Sequence, residues 1–186
     1  TQKLLDTIAE HKSLVKYIDM PLQHASANVL KRMKRGANGD IFLKLIERIR
    51  KTIPGVAIRT SFILGFPGET DADFEATLGV ARQARFADIH VFSYSPRRGT
   101  DAWDHPDPVD ARVTRERRLR LEALAGVMAL DYRKSLVGRE LGVVVETAAG
   151  AGWVVGTACR GVKVRFPGDI EALRRQLVTV RATAVE

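Results

Sequence analysis

Three groups of polar residues stand at comparable points along the chain and have the types needed to hold a polar ligand. They are Gln23, His24 and Ser26; Arg59, Thr60 and Ser61; and Ser93, Tyr94 and Ser95. Amide, guanidinium and hydroxyl groups orient a ligand through directional hydrogen bonds, and an imidazole adds a group that titrates near neutrality. The same residues offer little reaction chemistry. Ser26 lies close to His24, but no acid is placed to orient the imidazole, so a serine–histidine–acid nucleophile is not indicated. His24 also lacks a carboxylate or second histidine at ligand spacing. The single cysteine, Cys159, excludes an internal disulfide and any multi-cysteine metal site within the chain, and reads as a reduced, buried thiol of a cytosolic protein. No catalytic and no metal-ligating residue is assigned. The legible chemistry is binding.

Each polar group sits on or just after a strand-like segment. Val15–Met20 is short and ends at Pro21; Val56–Leu64 is apolar apart from Arg59–Ser61, the pattern of a strand buried on both faces; Ala87–Tyr94 is the third. Helical spacing fills the gaps: Lys3–Leu14, then Ala27–Met33 capped by Ser26, Ile41–Thr52 capped by Asp40, and Asp71–Arg85. The stretch Thr60-Ser-Phe-Ile-Leu-Gly-Phe-Pro-Gly-Glu-Thr70 organises the rest. Gly65 to Gly68 turns the chain sharply, and Thr70 caps a helix whose first turn carries Asp71 and Asp73, where carboxylates favour the dipole. Strand, turn and helix together make a βα unit, and in parallel α/β folds ligands bind at the carboxyl ends of such strands.

Beyond Tyr94 the texture changes twice. Ser95–Val113 is polar and dotted with prolines, and a long basic helix runs from Thr114 to about Leu136. Glu140–Thr147, Trp153–Ala158, Gly161–Phe166 and Leu177–Ala184 are short β-runs parted by glycines, with a helical turn at Ile170–Arg175. A compact all-β barrel is expected there, with Trp153 and Phe166 in its core. Three parts follow: 1–113 as a parallel α/β region whose three visible strands are too few to close a barrel, 114–137 as the long helix, and 138–186 as the β module.

Bulk properties set the frame. The chain has 186 residues, is 45% hydrophobic and carries 30 basic against 22 acidic residues, for a net charge of +8. That suits a folded core rather than disorder, and no run approaches the roughly 20 apolar residues of a membrane helix. The positive excess lies mostly after residue 111, which suggests a polyanion such as RNA as partner. Arg160, Lys163, Arg165 and Arg181 alternate with apolar residues, so they are expected on one sheet face, as phosphate contacts or as solvated edges that deter strand pairing. There is no initiator Met and no signal-peptide pattern, so the chain reads as part of a longer protein.

Several motifs in order carry a resemblance. Tyr17-Ile-Asp-Met-Pro-Leu-Gln-His-Ala-Ser26, Leu30-Lys-Arg-Met33 with Arg35, Arg59-Thr-Ser-Phe-Ile-Leu-Gly-Phe-Pro-Gly-Glu-Thr70 with Asp73-Phe74, and Phe92-Ser-Tyr-Ser-Pro96 with Gly99-Thr100 are similar to the radical S-adenosylmethionine methylthiotransferases. The resemblance covers nearly the whole chain. It implies the C-terminal half of a radical S-adenosylmethionine partial TIM barrel, a linker helix, and a TRAM domain, a small five-stranded OB-like barrel. Pro21–Ser26 and Arg59–Phe62 resemble the branch that modifies an aspartate of a small-subunit ribosomal protein. Gly161–Gly168, Leu177–Arg181 and Ser95–Thr100 resemble the transfer-RNA branches instead.

The resemblance implies S-adenosylmethionine and two [4Fe-4S] clusters, whose six cysteine ligands are absent from this chain. The fragment alone is expected to be inactive. Carried over residue by residue, Gln23 and Ser26 would meet the ribose and methionine end of S-adenosylmethionine, Arg59 and Ser61 its polar atoms, and Phe92 and Tyr94 its adenine. Ser61 departs from the family's glycine–isoleucine–glycine pattern at the first glycine, while Ile63 and Gly65 keep register. Arg97 and Arg98 would face the macromolecular substrate, together with Arg160, Lys163, Arg165 and Arg181. The expected protein is a cytoplasmic monomer without membrane contact. Its partner is a ribosomal protein or the small ribosomal subunit; transfer RNA is the alternative, and a non-catalytic RNA-binding module a third reading.

Overall fold

A computed structural model describes Thr1 to Val185. The helices are α1 (Gln2–Glu10), α2 (Ala27–Arg32), α3 (Gly39–Thr52), α4 (Asp71–Ala84), α5 (Ala111–Lys134) and α6 (Ile170–Leu173). The strands are β1 (Tyr17–Asp19), β2 (Ala57–Leu64), β3 (Asp88–Ser93), β4 (Glu140–Ala148), β5 (Trp153–Ala158), β6 (Lys163–Pro167) and β7 (Leu177–Arg181). The chain divides into two compact units. One holds Asp19–Lys51 and Ile58–Ala129; the other holds Thr1–Ile18, Thr52–Ala57 and the residues from Leu130 on.

The first unit is built on β3 and on β2 from Ile58 onward, strands of a three-stranded sheet of order β1-β2-β3. β2 runs parallel to β3, with Arg59 opposite Asp88, Ser61 opposite His90 and Ile63 opposite Phe92. Period-two alternation decides which side chains are buried. Ile58, Thr60, Phe62 and Leu64 are buried, whereas Arg59, Ser61 and Ile63 on the other face are only half-buried. The central strand therefore has one closed face, not two, because its second face bears Arg59 and Ser61 in place of large apolar groups. Phe62 meets Phe86 edge to face, with ring centroids 6.3 Å apart.

Local signals explain the helix boundaries. Thr70 and Asp73 form a reciprocal capping box at the start of α4: the Thr70 hydroxyl accepts the Asp73 N–H, and the Asp73 carboxylate accepts the Thr70 N–H. α3 begins with Gly39, and the side-chain acceptor at its start is Asn38, which takes the Ile41 N–H at 2.9 Å, rather than Asp40. α5 begins at Ala111, three residues ahead of Thr114, because the Asp110 carboxylate accepts the Arg112 N–H at 2.7 Å.

In the second unit the four later strands form an antiparallel sheet of order β6-β5-β4-β7. Its core is Leu136, Leu141, Val143 and Ala158, with Phe166, Val178 and Val180 half-buried against it. Among the described residues the sheet has four strands, and its edges β6 and β7 do not pair, so it stays open where a closed five-stranded barrel was expected. The β4 register shifts between Val145 and Thr147. Beside that bulge a Cβ on Gly156 would stand 2.2 Å from the Val144 carbonyl oxygen, so only glycine fits. Trp153 is not a core residue. It is 39% exposed, and the Arg165 guanidinium lies 4.7 Å from its ring centroid.

Candidate cofactor-binding site

β2 and β3 finish side by side, and the Tyr94 N–H extends their ladder by donating to the Leu64 carbonyl at 2.7 Å. On the other flank of β2, Gln23 has φ 70, a left-handed conformation unusual for a residue with a side chain. Two backbone bonds hold it there: Gln23 N–H donates to Ser61 O at 2.9 Å, and Ile63 N–H donates to Gln23 O at 2.8 Å. A cleft of about 660 Å³ opens where these segments meet. Its walls are mostly apolar, from Ile63, Phe66, Phe92 and Tyr94, with Gln23 as a polar handle. Phe66 and Tyr94 pack edge to face at 5.1 Å, and the Tyr94 hydroxyl donates to Ala102 O at 3.1 Å, so the ring is held from both sides. Phe92 is 51% exposed, an open apolar surface beside the cleft.

Ser93, Ser95 and Thr100 add hydroxyls, and the charged part of the lining is mostly cationic. Arg32, Lys34, Arg35 and Arg97 line the cleft with one acid, Asp101. Lys34 pairs with Asp101, and Arg32 lies 3.9 Å from Asp73. Among the described residues no carboxylate pairs with Arg35 or Arg97, which leaves positive charge facing any ligand there.

Of the expected cofactor contacts, Gln23, Phe92 and Tyr94 line the cleft, whereas Ser26, Arg59 and Ser61 do not. Ser26 is 5% exposed and serves the framework: its hydroxyl accepts the Asn28 N–H at 3.2 Å as the α2 cap and donates to the Asp73 carboxylate. Burial pushes the Asp73 carboxyl up. The hydrogen bonds from Ser26 and Thr70, with nearby His24, outweigh that and hold it below the usual carboxylate range. Arg59 is engaged lower on the sheet, 3.1 Å from Asp19, 3.5 Å from Asp88 and 2.6 Å from His90 Nε2. Ser61 faces His90 in the same row.

The substrate-facing expectations divide too. Arg97 lines the cleft, while the Arg98 guanidinium lies 5.9 Å from the Trp103 ring centroid. Lys163, Arg165 and Arg181 take exposed alternate positions, and the ladder register puts them on the sheet face opposite the core. Arg160 departs from that face, since it sits in the turn after β5 and donates to the Lys16 carbonyl at 3.0 Å. Sequence reasoning missed Ile63, Phe66, Arg32, Lys34 and Arg35 as cleft residues. Lys31, Arg32, Lys34 and Arg35 lie at and just beyond the end of α2, where cations also complement the helix dipole, and α2 begins only four residues after Gln23.

Comparison with known proteins gives the site its setting. Residues 1–81 match the Radical SAM superfamily model. Over 150 residues, 81% of the chain, it is 58% identical to a ribosomal protein uS12 methylthiotransferase RimO from Solibacter usitatus, of which it covers 32%. It is 39% identical over 189 residues to a tRNA-2-methylthio-N(6)-dimethylallyladenosine synthase from Mycolicibacterium smegmatis, covering 98% of this chain and 37% of that relative. Over the part that it matches, the chain is similar to the radical SAM methylthiotransferases. It spans about a third of the length of these curated relatives. The fold likeness extends to coproporphyrinogen III oxidase (HemN) from Escherichia coli, with a TM-score of 0.56 at 12% identity, over 94% of this chain and 48% of that one.

This likeness implies S-adenosylmethionine and iron–sulfur clusters. The cleft fits the first: apolar and aromatic walls suit a flat base, and Arg35 and Arg97 suit a carboxylate. The residues present do not fit the second. Cluster ligation needs several thiolates, Cys159 stands alone, and among the described residues no group of three His, Cys, Asp or Glu is placed to hold a metal. No described helix is long and apolar enough to cross a membrane.

Proposed function

We propose that this chain is the C-terminal part of an enzyme that inserts a methylthio group at an unactivated C–H bond, the β-carbon of an aspartate in a small-subunit ribosomal protein. The 58% identity to a relative named for uS12 carries the choice of substrate. In this reading the cleft between Gln23 and Tyr94 binds S-adenosylmethionine. Ile63, Phe92 and Tyr94 flank the adenine, Gln23 bonds the ribose, and Arg35 with Arg97 receives the methionine carboxylate. The bound cofactor supplies hydrogen-atom abstraction from an unactivated C–H bond. Ser26 and Arg59 act on it indirectly, by holding Asp73 beneath α2 and the polar row of the sheet. The thiolates that hold the clusters belong, in this reading, to a part of the enzyme outside this chain.

The antiparallel unit is, in the same reading, a TRAM domain that grips the macromolecular substrate. Its outward Lys163, Arg165 and Arg181 beside exposed Trp153 also favour a second reading, an adenosine of transfer RNA as substrate. A cytoplasmic, monomeric enzyme is part of both. The deciding experiment reconstitutes the full native polypeptide anaerobically and follows labelled methyl transfer from S-adenosylmethionine to purified ribosomal protein or to transfer RNA. About eight irons per chain, for two four-iron clusters, and label in the protein are expected. Label in RNA alone selects the second reading. No iron and no transfer would falsify both.

A further inference from the structure

Glu69 is 5% exposed, yet it carries a carboxylate into the interior beside two other buried ionisable groups, His24 at 0% and Arg117 at 5%. The three come from separate segments: the loop after β1, the turn after β2, and α5. One Glu69 oxygen accepts the N–H of Gly65, whose φ is 77. The other stands 3.6 Å from His24 Nε2 and 3.5 Å from Arg117 Nη1, with no hydrogen bond of its own. Arg117 Nη1 also donates to the Glu69 carbonyl at 3.2 Å, and its Nη2 to Asp71 at 2.7 Å. His24 Nδ1 accepts the Ser26 N–H at 3.0 Å, which leaves Nε2 to carry the proton toward Glu69.

A buried carboxylate is kept against its desolvation cost only where its surroundings hold it. A tight turn at Gly65–Gly68 needs no such cluster. None of the three side chains lines the cleft, but His24 follows the cleft residue Gln23, and Gly65, whose N–H Glu69 accepts, precedes the cleft residue Phe66. We propose that Glu69, gripped by His24 and Arg117, is a positioning residue that fixes Gln23 and Phe66 against each other, so that docking of α5 becomes a condition for binding in the cleft. The inference rests on the reading that the cleft receives S-adenosylmethionine.

The test uses the full native polypeptide with its clusters and S-adenosylhomocysteine as probe. Glu69→Gln keeps an acceptor for Gly65 but removes the charge; Arg117→Leu removes the α5 partner. Arg120→Ala is the control, since Arg120 is on the same helix and pairs with Glu75 away from the cluster. Each of the first two is expected to raise the dissociation constant about tenfold, in the range for stranding a buried polar partner, with faster amide exchange at Gly65 and Ser26. Arg120→Ala leaves both within about twofold. Melting temperature falls for any core change and does not discriminate; probe affinity of the folded protein does. Should Glu69→Gln fail to fold, Arg117→Leu and the control carry the comparison. Wild-type affinity in the folded variants, or an equal loss in Arg120→Ala, overturns the positioning role. A wild-type protein that binds no probe overturns the cofactor reading and, with it, the binding condition; the exchange rates then still report whether the cluster holds the two segments.

Discussion

The two units handle polar groups in opposite ways. Among the described residues, the seven buried polar or charged ones, His24, Ser26, Thr60, Glu69, Asp73, Thr77 and Arg117, all belong to the parallel unit. The antiparallel unit buries none among its described residues and displays charge on the outer face of its sheet, as in the pairs Lys163–Glu146 and Arg181–Glu140. Fixed internal polarity is expensive unless satisfied, and once satisfied it holds loops in one arrangement. Displayed polarity adds little stability, is screened by salt, and stays accessible to a partner. In the proposed reading, the first arrangement suits a small ligand held in set geometry and the second suits contact with a large surface.

Substitutions can break that contrast. The largest effect is expected for Asp73→Ala, which removes half of the capping box and strands the Ser26 hydroxyl. A loss of about 2–4 kcal/mol in urea unfolding is expected. Because the folded-state pKa of Asp73 is depressed, its contribution is full above an unfolded value of about 4 and is lost as pH falls through the lower folded value. Asp73→Asn should flatten the acid limb of the stability profile. Unchanged acid sensitivity would remove Asp73 from the account.

Gly156→Ala tests packing in the other unit. The new methyl would collide with the Val144 carbonyl, and a cost of about 2 kcal/mol is expected. Amide exchange should rise in β4 and β5 and stay unchanged around Gln23. Tyr132→Phe should go the other way. The Tyr132 hydroxyl is enclosed without a hydrogen-bond partner, and burial pushes its pKa up despite nearby Arg160 and Arg139. A gain of up to about 1 kcal/mol is expected at pH 7. The raised pKa adds a pH signature: wild-type stability from this group is intact below about pH 10 and falls as pH rises through the folded value, a loss the phenylalanine variant lacks. The smallest effect belongs to Arg165→Ala, about 0.5 kcal/mol for its contact with the Trp153 ring, read by the same unfolding experiment.

What the sequence disclosed followed distance along the chain. Thr70, Asp71 and Asp73 announced α4 because a cap and its helix are local, and Val56–Leu64 announced β2 through composition. The start of α3 was misread because Asn38 and Asp40 are both good caps two residues apart, and only geometry chooses. Gln23 and Tyr94 were legible as strand-end polar residues, and they do line the cleft. Glu69 was not legible. Its partners lie 45 residues before it and 48 after, and no local pattern distinguishes a buried glutamate from a solvated one. Trp153 departs from its expected core position because strand alternation leaves the choice of face open, and the register sets it outward.

The half-closed β2 strand bears on how this family can drift. Ile58, Thr60, Phe62 and Leu64 alternate with Arg59, Ser61 and Ile63, and each from Arg59 on is matched to a partner row on β3. Loss or gain of one residue there would exchange the two sets wholesale, driving Arg59 into the interior and Phe62 out to water. Length variation among related sequences should therefore be close to nil between positions 57 and 64. It should gather instead in the exposed stretch from Pro96 to Asp110, where an added residue disturbs no parity.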